Sequence, residues 1–246
     1  RLPCETEEKR ESNPNIDYGK AQSLVDLAYK NGVNYFDTAY MYHCGKSEAF
    51  IGCALNKYPR DTYFIADKLP IWLCDTKEDM KLVFDEQLER TGMDYFDFYL
   101  LHSLDNENFE KCEKFDAYDF LKKMQKEGKI KYIGFSFHGT VDDLRNIVSA
   151  HKWDFAQIQM NYLDWENDII QSRLCYETAR RHNKPIAVME PVKGGTLANL
   201  PKEAENILRE YNKEASPASY ALRFAANLDG VFMVLSGMSN CEQVLT

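Results

Sequence analysis

The chain has 246 residues, 44% of them hydrophobic, which is enough to form one large core. Its formal net charge of −9 argues against nucleic acid or an anionic membrane as the main partner. The sequence contains no apolar run long enough to span a bilayer. No signal peptide precedes the first residues, which we expect to be an internal point of a longer gene product because they do not begin with Met.

The seven cysteines are scattered along the chain and include no C-x-x-C pair. An odd number of dispersed cysteines is typical of reduced thiols in the cytosol rather than of a disulfide framework, so we expect a cytoplasmic protein. An iron–sulfur cluster or a structural zinc site would need clustered ligands. The sequence therefore supports neither kind of centre within this chain.

Apolar runs of strand length alternate with amphipathic helical patterns along the chain. The predicted strands cover residues 34–38, 62–68, 95–102, 132–137, 155–162, 185–191 and 231–237. The predicted helices cover residues 17–31, 76–91, 115–127, 141–150, 168–182, 201–211 and 217–227. Gly92 and Gly128 are helix stop signals, and Ser47 and Glu48 are typical of a further helix start. The acidic stretch 104–116 is predicted as a solvated loop with the start of a helix.

The alternation of strands and helices predicts a parallel sheet with right-handed crossovers. Seven such units favour an α/β fold of the (β/α)₈ TIM-barrel type over an open, doubly wound sheet, which would usually carry G-x-G-x-x-G after its first strand. Without a linker or repeat, residues 1–246 are predicted to form a single barrel domain. Seven strands leave a barrel one short, and the last residues read as an interrupted helix. We therefore expect the first strand and the C-terminal end of the barrel to be missing from this chain.

Titratable side chains lie at the ends of three successive predicted strands. Asp37, Lys68 and His102 each terminate an otherwise apolar run, and Tyr42 lies in the loop after Asp37. The carboxyl ends of barrel strands and the loops after them form the active site, so these side chains are expected to converge. A single lysine after a strand is usually only solvated, so the prediction depends on the combination.

These residue types suit the delivery of a proton to a carbonyl group. Tyrosine titrates near a pKa of about 10, too high for an efficient acid at neutral pH, and a neighbouring lysine ammonium group would lower that value. Asp37 would hold Lys68 charged and in position. His102 would donate a hydrogen bond to the carbonyl oxygen beside Tyr42, while a hydride arrives from another group.

The chain contains, in this order, the motifs GVNYFDTAYMY, TYFIADKL, DYFDFYLLHS, GKIKYIGFSFH, FAQIQMNYL, MEPVKGGTLA and VLSGMS. Together they resemble the aldo-keto reductase family over practically the whole chain. The resemblance implies a (β/α)₈ barrel that reduces an aldehyde or ketone to an alcohol with NADPH, or less often NADH. It also implies that Asp37, Tyr42, Lys68 and His102 form the catalytic tetrad, with Tyr42 as the acid.

The resemblance further implies a set of contacts to the cofactor. Ser136 and Gln157 match residues that hold the nicotinamide carboxamide, and Met189 stands where family members often stack a tyrosine on the nicotinamide ring. Gly194 and Gly195 match the pyrophosphate loop. Near the adenosine ribose the implied contacts are Ser236, Gly237, Met238, Ser239 and Gln243. This segment offers no Lys or Arg for a 2′-phosphate, so the choice between NADP and NAD stays open, although the family favours NADP.

The signatures DTAYxYHxGxSE and KLPIW match a subgroup of bacterial predicted oxidoreductases, many of which carry a C-terminal iron–sulfur segment. This chain contains no such segment, and we expect no iron–sulfur cluster within it. Tyr40, Trp72 and His138 are candidates for the wall of the substrate pocket, with ordinary packing as an equal alternative for each.

Two other functions stay open at this stage. The chain could be a regulatory subunit that binds the nicotinamide cofactor with little or no turnover. Alternatively, His43 and Cys44, with Cys74 or His102, could suggest a metal-dependent hydrolase or isomerase, although no ligand spacing recurs. The sequence predicts a small carbonyl compound as the substrate, without identifying it, and gives no prediction of the oligomeric state.

Overall fold

The computed structural model describes residues 2–5 and 15–245, which fall into two compact units. The first unit is formed from Arg1–Ser136 together with Met238–Leu245, and the second from Phe137–Gly237. Each unit alternates strands with helices in the order that the sequence predicts.

The described residues contain seven strands, all at the predicted positions. They are β1 (Tyr35–Asp37), β2 (Phe64–Leu69), β3 (Phe96–Leu104), β4 (Ile130–Phe137), β5 (Phe155–Gln159), β6 (Ile186–Met189) and β7 (Val231–Val234). In the first unit β1 pairs in parallel with β2, and β2 with β3. In the second unit β5 pairs in parallel with β6, and β6 with β7. Parallel pairing in chain order places the carboxyl ends of consecutive strands at one edge of each sheet.

The described parts of the chain contain ten α-helices, none of them long and apolar enough to cross a membrane. They are α1 (Tyr18–Lys30), α2 (Ser47–Leu55), α3 (Lys77–Thr91), α4 (Asn106–Lys114), α5 (Ala117–Lys126), α6 (Val141–Ala150), α7 (Ser172–Arg181), α8 (Lys202–Tyr211), α9 (Pro217–Ala226) and α10 (Cys241–Leu245). The predicted stop signals are confirmed, because Gly92 and Gly128 have φ values of 63° and 74°, which favour glycine.

Helix α4 occupies most of the acidic stretch that the sequence analysis interpreted as a solvated loop with a helix start. Asp105 begins this helix, since its side chain accepts a hydrogen bond from the main-chain N–H of Asn108. Cys112 is buried on its inner face. The high content of charged residues hid a short amphipathic helix that buries little apolar surface.

Helices α2 and α3 approach each other closely at Gly52. A Cβ atom at this position would lie 2.0 Å from the carbonyl oxygen of Thr91, the last residue of α3. Thr91 is buried, and its main-chain oxygen cannot rotate away as a flexible side chain could. Only glycine therefore allows the observed packing of these two helices, which carry side chains that support the site described below.

We predict that Gly52→Ala destabilises the protein by about 3 kcal/mol, because overpacking against main-chain atoms outweighs the better helix propensity of alanine. Denaturant unfolding followed by circular dichroism measures this change. The matched control is Gly19→Ala in α1, where the new Cβ atom would make an ordinary contact at 3.7 Å with Asp17. If the two substitutions have equal effects, the close packing of α2 on α3 is wrong.

Candidate active site

Lys68 on β2 is completely buried, at 0% exposure, and carries an ammonium group. Its Nζ lies 2.6 Å from Oδ1 of Asp37, at the end of β1, and 2.6 Å from the main-chain oxygen of Thr38. A buried cation is tolerated only when a counter-charge and hydrogen-bond acceptors compensate the loss of water. The parallel pairing of β1 with β2 supplies both, because it brings Asp37 and Thr38 beside Lys68.

Burial and the partner's charge act in opposite directions on each group of this ion pair, and the balance keeps Lys68 charged. Burial lowers the pKa of Lys68, but the charges of Asp37 and Tyr42 and the hydrogen bond to Asp37 together raise it above its usual value. Burial raises the pKa of Asp37, and Lys68 counteracts this. The carboxylate is 16% exposed, and the ammonium group binds only one of its oxygens.

Tyr42 lies above this ion pair, at the start of a short 3₁₀ turn, and is 38% exposed. The centroid of its ring is 4.9 Å from Nζ of Lys68. The next two residues, His43 and Cys44, have φ values of 52° and 54°, a left-handed conformation that costs energy for residues other than glycine. This strained turn presents the phenol next to the cation while the chain turns towards α2.

His102 on β3 lies against the same tyrosine. The ring centroids of Tyr42 and His102 are 6.1 Å apart with an interplanar angle of 81°, and Trp72 is 5.1 Å from His102. The following residue, Ser103, has a φ of 55°, and its N–H donates to Oγ of the buried Ser136, 2.7 Å away. The first unit thus brings together the four predicted catalytic residues, with Trp72 beside them.

Other predicted residues of the first unit occupy different surroundings. The hydroxyl of Tyr40 donates to Glu86 on α3 at 2.7 Å, and the Arg90 guanidinium lies 4.3 Å from the centre of its ring. Met238, Ser239 and Gln243 lie around the start of α10, where the N–H of Ser239 donates to Oε1 of Gln243 at 2.7 Å.

The residues considered as metal ligands differ in their burial and in the residues that they contact. His43 is buried, and its Nδ1 lies 3.7 Å from Sγ of Cys4. Cys44 is exposed, whereas Cys74 is buried. Within residues 2–5 and 15–245, no three His, Cys, Asp or Glu side chains are arranged to hold a metal ion.

The second unit contains Gln157 on β5 and Met189 at the end of β6. Gln157 is 2% exposed, and its Nε2 lies 3.8 Å from the Met189 sulfur. Among the described residues, its Oε1 has no hydrogen-bond partner. A buried amide oxygen without a donor is costly, so this atom is suited to a donor from a ligand such as a carboxamide.

Further along the second unit, the loop after β6 adopts a run of left-handed conformations. Lys193, Gly194 and Gly195 have φ values of 47°, 62° and 100°. Within this loop the N–H of Lys193 donates to the carbonyl oxygen of Glu190 at 3.0 Å, and that of Gly195 to the carbonyl oxygen of Val192 at 3.1 Å, which closes two tight turns. Ser236 and Gly237 follow β7, and His138 is exposed just after β4.

Sequence reasoning missed two groups of buried polar residues near these positions. Lys193 pairs with Asp164, which also binds Asn161. In the first unit, Glu48, Asp67 and Gln87 are buried, and the Gln87 amide donates to both carboxyl groups. The acidic residue Asp67 in the middle of an apolar strand was a signal for the second group, since a buried polar side chain needs a partner.

The model of the aldo/keto reductase family matches residues 9–246, so the chain belongs to this family. A probable aldo-keto reductase from Glycine max is 30% identical over 155 residues, 60% of this chain and 43% of that protein. Glyoxal reductase from Bacillus subtilis is 33% identical over 120 residues, 48% of this chain and 40% of that protein. The chain spans about half the length of the curated relatives it matches.

Solved structures of the family share the fold. An aldo-keto reductase from Klebsiella pneumoniae in complex with NADPH superimposes with a TM-score of 0.72 at 20% sequence identity. The match covers 96% of this chain and 81% of that protein. The predicted fold class, the (β/α)₈ barrel of this family, is confirmed.

We predict that Asp37→Asn costs about 3 kcal/mol of unfolding free energy, because it leaves a buried ammonium group without a counter-charge. Lys68→Met should cost less, since methionine keeps the packing and Asp37 can take up a proton once its cation is gone. Denaturant unfolding of both variants at neutral pH tests the difference. A larger cost for Lys68→Met would contradict the buried ion pair.

Proposed function

We propose that this protein is an NAD(P)H-dependent oxidoreductase that reduces an aldehyde or ketone to an alcohol, with Tyr42 as the proton donor. The observation that carries the proposal is the position of Tyr42, next to the buried Lys68–Asp37 ion pair and in ring contact with His102. A phenol in this setting has a cation to stabilise its conjugate base and a second polar ring to help orient a carbonyl oxygen.

The Lys68 ammonium group favours the phenolate that remains when Tyr42 gives up its proton, and so lowers the energy of the transfer. Asp37 keeps the ammonium group charged and fixed between two acceptors. His102 and the Tyr42 hydroxyl hold the carbonyl oxygen from two sides, which polarises the C=O bond as it accepts a hydride. Trp72, in contact with His102, provides an apolar wall that excludes water.

The nicotinamide cofactor, NADPH in our proposal, supplies the hydride when it is bound. Gln157 would accept a hydrogen bond from the carboxamide, for which its buried Oε1 has the capacity. Gly194 and Gly195 would let the main chain of this loop approach the pyrophosphate closely, as the family resemblance implies. Ser136, Met189 and the segment from Ser236 to Gln243 complete the proposed contacts. The family membership and the NADPH complex of the related Klebsiella enzyme support this choice.

Tyr42→Phe should abolish aldehyde-dependent oxidation of NADPH, lowering kcat by at least about 100-fold, because the acid is lost while the ring remains. The dissociation constant for NADPH, measured by fluorescence quenching, should stay close to that of the unmodified protein. Tyr29→Phe is a suitable control, since Tyr29 is bonded to Thr62 and stacked on Tyr58. Full activity of Tyr42→Phe would eliminate this residue as the acid.

The same assay separates the enzyme from a regulatory subunit. Tight binding of NADPH without turnover of any aldehyde or ketone in a broad panel would favour a subunit that senses the cofactor. Turnover that depends on Tyr42 supports the reductase.

We predict that Gln157→Leu weakens NADPH binding by about tenfold, because it removes a buried hydrogen-bond acceptor. The thermal midpoint without cofactor should not fall, since Oε1 has no partner among the described residues. Met189→Leu serves as the matched control, because it removes the sulfur contact but leaves the amide in place. Unchanged NADPH affinity in Gln157→Leu, measured by calorimetry, contradicts the proposed contact.

A further inference from the structure

A cluster of buried polar side chains lies behind Lys68, and the proposed proton delivery does not use it. We call Glu48, Asp67 and Gln87 the acid–amide cluster; each is 0% exposed. Neighbouring residues of a strand face opposite sides, so Asp67 on β2 points away from the ammonium group of Lys68. It meets Glu48 from α2 and Gln87 from α3.

The acid–amide cluster binds the main chain of Lys68. The N–H of Lys68 donates to Oδ1 of Asp67 at 2.8 Å, and its carbonyl oxygen accepts from Nε2 of Gln87 at 3.0 Å. The pairing of β1 with β2 ends at Asp37 opposite Ala66, so no further residue of β1 pairs with Lys68. Lys68 pairs with Leu100 of β3, and the cluster takes the place of a partner from β1 for the residue that carries the catalytic cation.

The hydrogen bonds determine which carboxyl group carries a proton. Nε2 of Gln87 lies 2.9 Å from Oε1 of Glu48 and 2.9 Å from Oδ1 of Asp67. The hydroxyl of Tyr99 donates to Oε1 of Gln87, which fixes the orientation of the amide. Arg90 donates to Oε2 of Glu48 at 3.0 Å, and the two hydrogens of the Gln87 amide are shared among Oε1 of Glu48, Oδ1 of Asp67 and the carbonyl oxygen of Lys68.

Oδ2 of Asp67 is buried and has no N–H or O–H donor among the described residues. An ionised oxygen in that position would be left without compensation, whereas a protonated one can itself donate. The titratable groups that interact electrostatically with Asp67 are Glu48, Lys68, Asp37 and Tyr99. Burial and the charge of Glu48 raise the pKa of Asp67 well above its usual value. Burial also raises the pKa of Glu48, but its interactions with Gln87, Arg90 and Asp67 oppose that rise.

The cluster also reaches the loop that carries Tyr42. Arg90 bonds both Glu48 and Glu86, and Glu86 accepts from the hydroxyl of Tyr40. Tyr40 precedes Tyr42 by two residues in the same loop. One network of hydrogen bonds and ion pairs, buried at Asp67 and Glu48 and partly exposed at Arg90 and Glu86, thus supports both the main chain of Lys68 and the segment that presents the proposed acid.

We propose that Asp67 is a positioning residue, which works as a neutral carboxylic acid, holds the main chain of Lys68 and donates a hydrogen bond to Glu48. The neutral form leaves the Lys68 ammonium group paired with Asp37 and available to Tyr42. An ionised Asp67 would place a second carboxylate near the cation and weaken its effect on the phenol. This inference rests on the proposed function, through the role of Lys68.

A pair of substitutions at Asp67 tests its role. In Asp67→Asn, the amide oxygen can accept the same hydrogen bonds and the amide nitrogen can donate to Glu48, so kcat/KM and its pH profile should stay close to wild type. In Asp67→Leu both functions are lost, and kcat should fall by about 100-fold while the Kd for NADPH is retained. Glu48→Gln should lower kcat as well, because an amide cannot replace the carboxylate that binds both Arg90 and the Asp67 proton.

The protonation state has a readout that does not depend on turnover. The infrared spectrum of the protein at neutral pH should contain the C=O stretch of a buried protonated carboxyl group, and Asp67→Asn should remove it. Absence of that band, or an Asp67→Asn variant as inactive as Asp67→Leu, would overturn the inference. If Asp67→Leu does not fold, the infrared band and the activity of Asp67→Asn still test the inference. If the wild-type protein reduces no carbonyl compound, the proposed function fails, while the infrared band still decides the state of Asp67.

Discussion

The ion pair between Lys68 and Asp37 is the interaction on which the rest of the site depends. A fully buried ammonium group 2.6 Å from a carboxylate is stable only if the surrounding main chain is fixed, because a small displacement would leave a charge without compensation. The parallel strands β1 and β2 provide that fixed geometry. The position of Tyr42 beside the cation, and of His102 beside Tyr42, has a chemical meaning only while Lys68 remains charged.

This ion pair is surrounded by polar interactions and by strained backbone conformations as well as by apolar packing. Left-handed residues follow Tyr42 and His102, at His43, Cys44 and Ser103, and strain of this kind persists only where the surroundings enforce it. The acid–amide cluster supports β2 from behind, and Gly52 lets α2 pack closely enough on α3 to form it. A buried polar network is costly unless every polar atom in it has a hydrogen-bond partner. The proposed proton on Asp67 is important because it gives Oδ2 the ability to donate a hydrogen bond.

The sequence predicted the order of strands and helices and the four catalytic candidates, because these depend on local patterns. Apolar runs that end in Asp37, Lys68 and His102 are visible without coordinates, and parallel pairing then brings their ends together. The acid–amide cluster was not predictable, since Glu48, Asp67 and Gln87 lie far apart in the sequence and become partners only through packing. Helix α4 was missed because its charged composition conceals one buried cysteine. The hydrogen bond from Tyr40 to Glu86 was not predictable either, because it depends on the position of α3.

Transfer of deuterium from NADPH that carries deuterium at both positions of C4 of the dihydronicotinamide tests the central claim most directly. The labelled cofactor is incubated with the protein and a panel of aromatic and aliphatic aldehydes and ketones, and the products are analysed by mass spectrometry and NMR. The account predicts a primary or secondary alcohol with deuterium on the carbinol carbon and a hydroxyl proton derived from solvent. Recovery of the unreduced carbonyl compound throughout the panel, or an alcohol without deuterium on carbon, would contradict it.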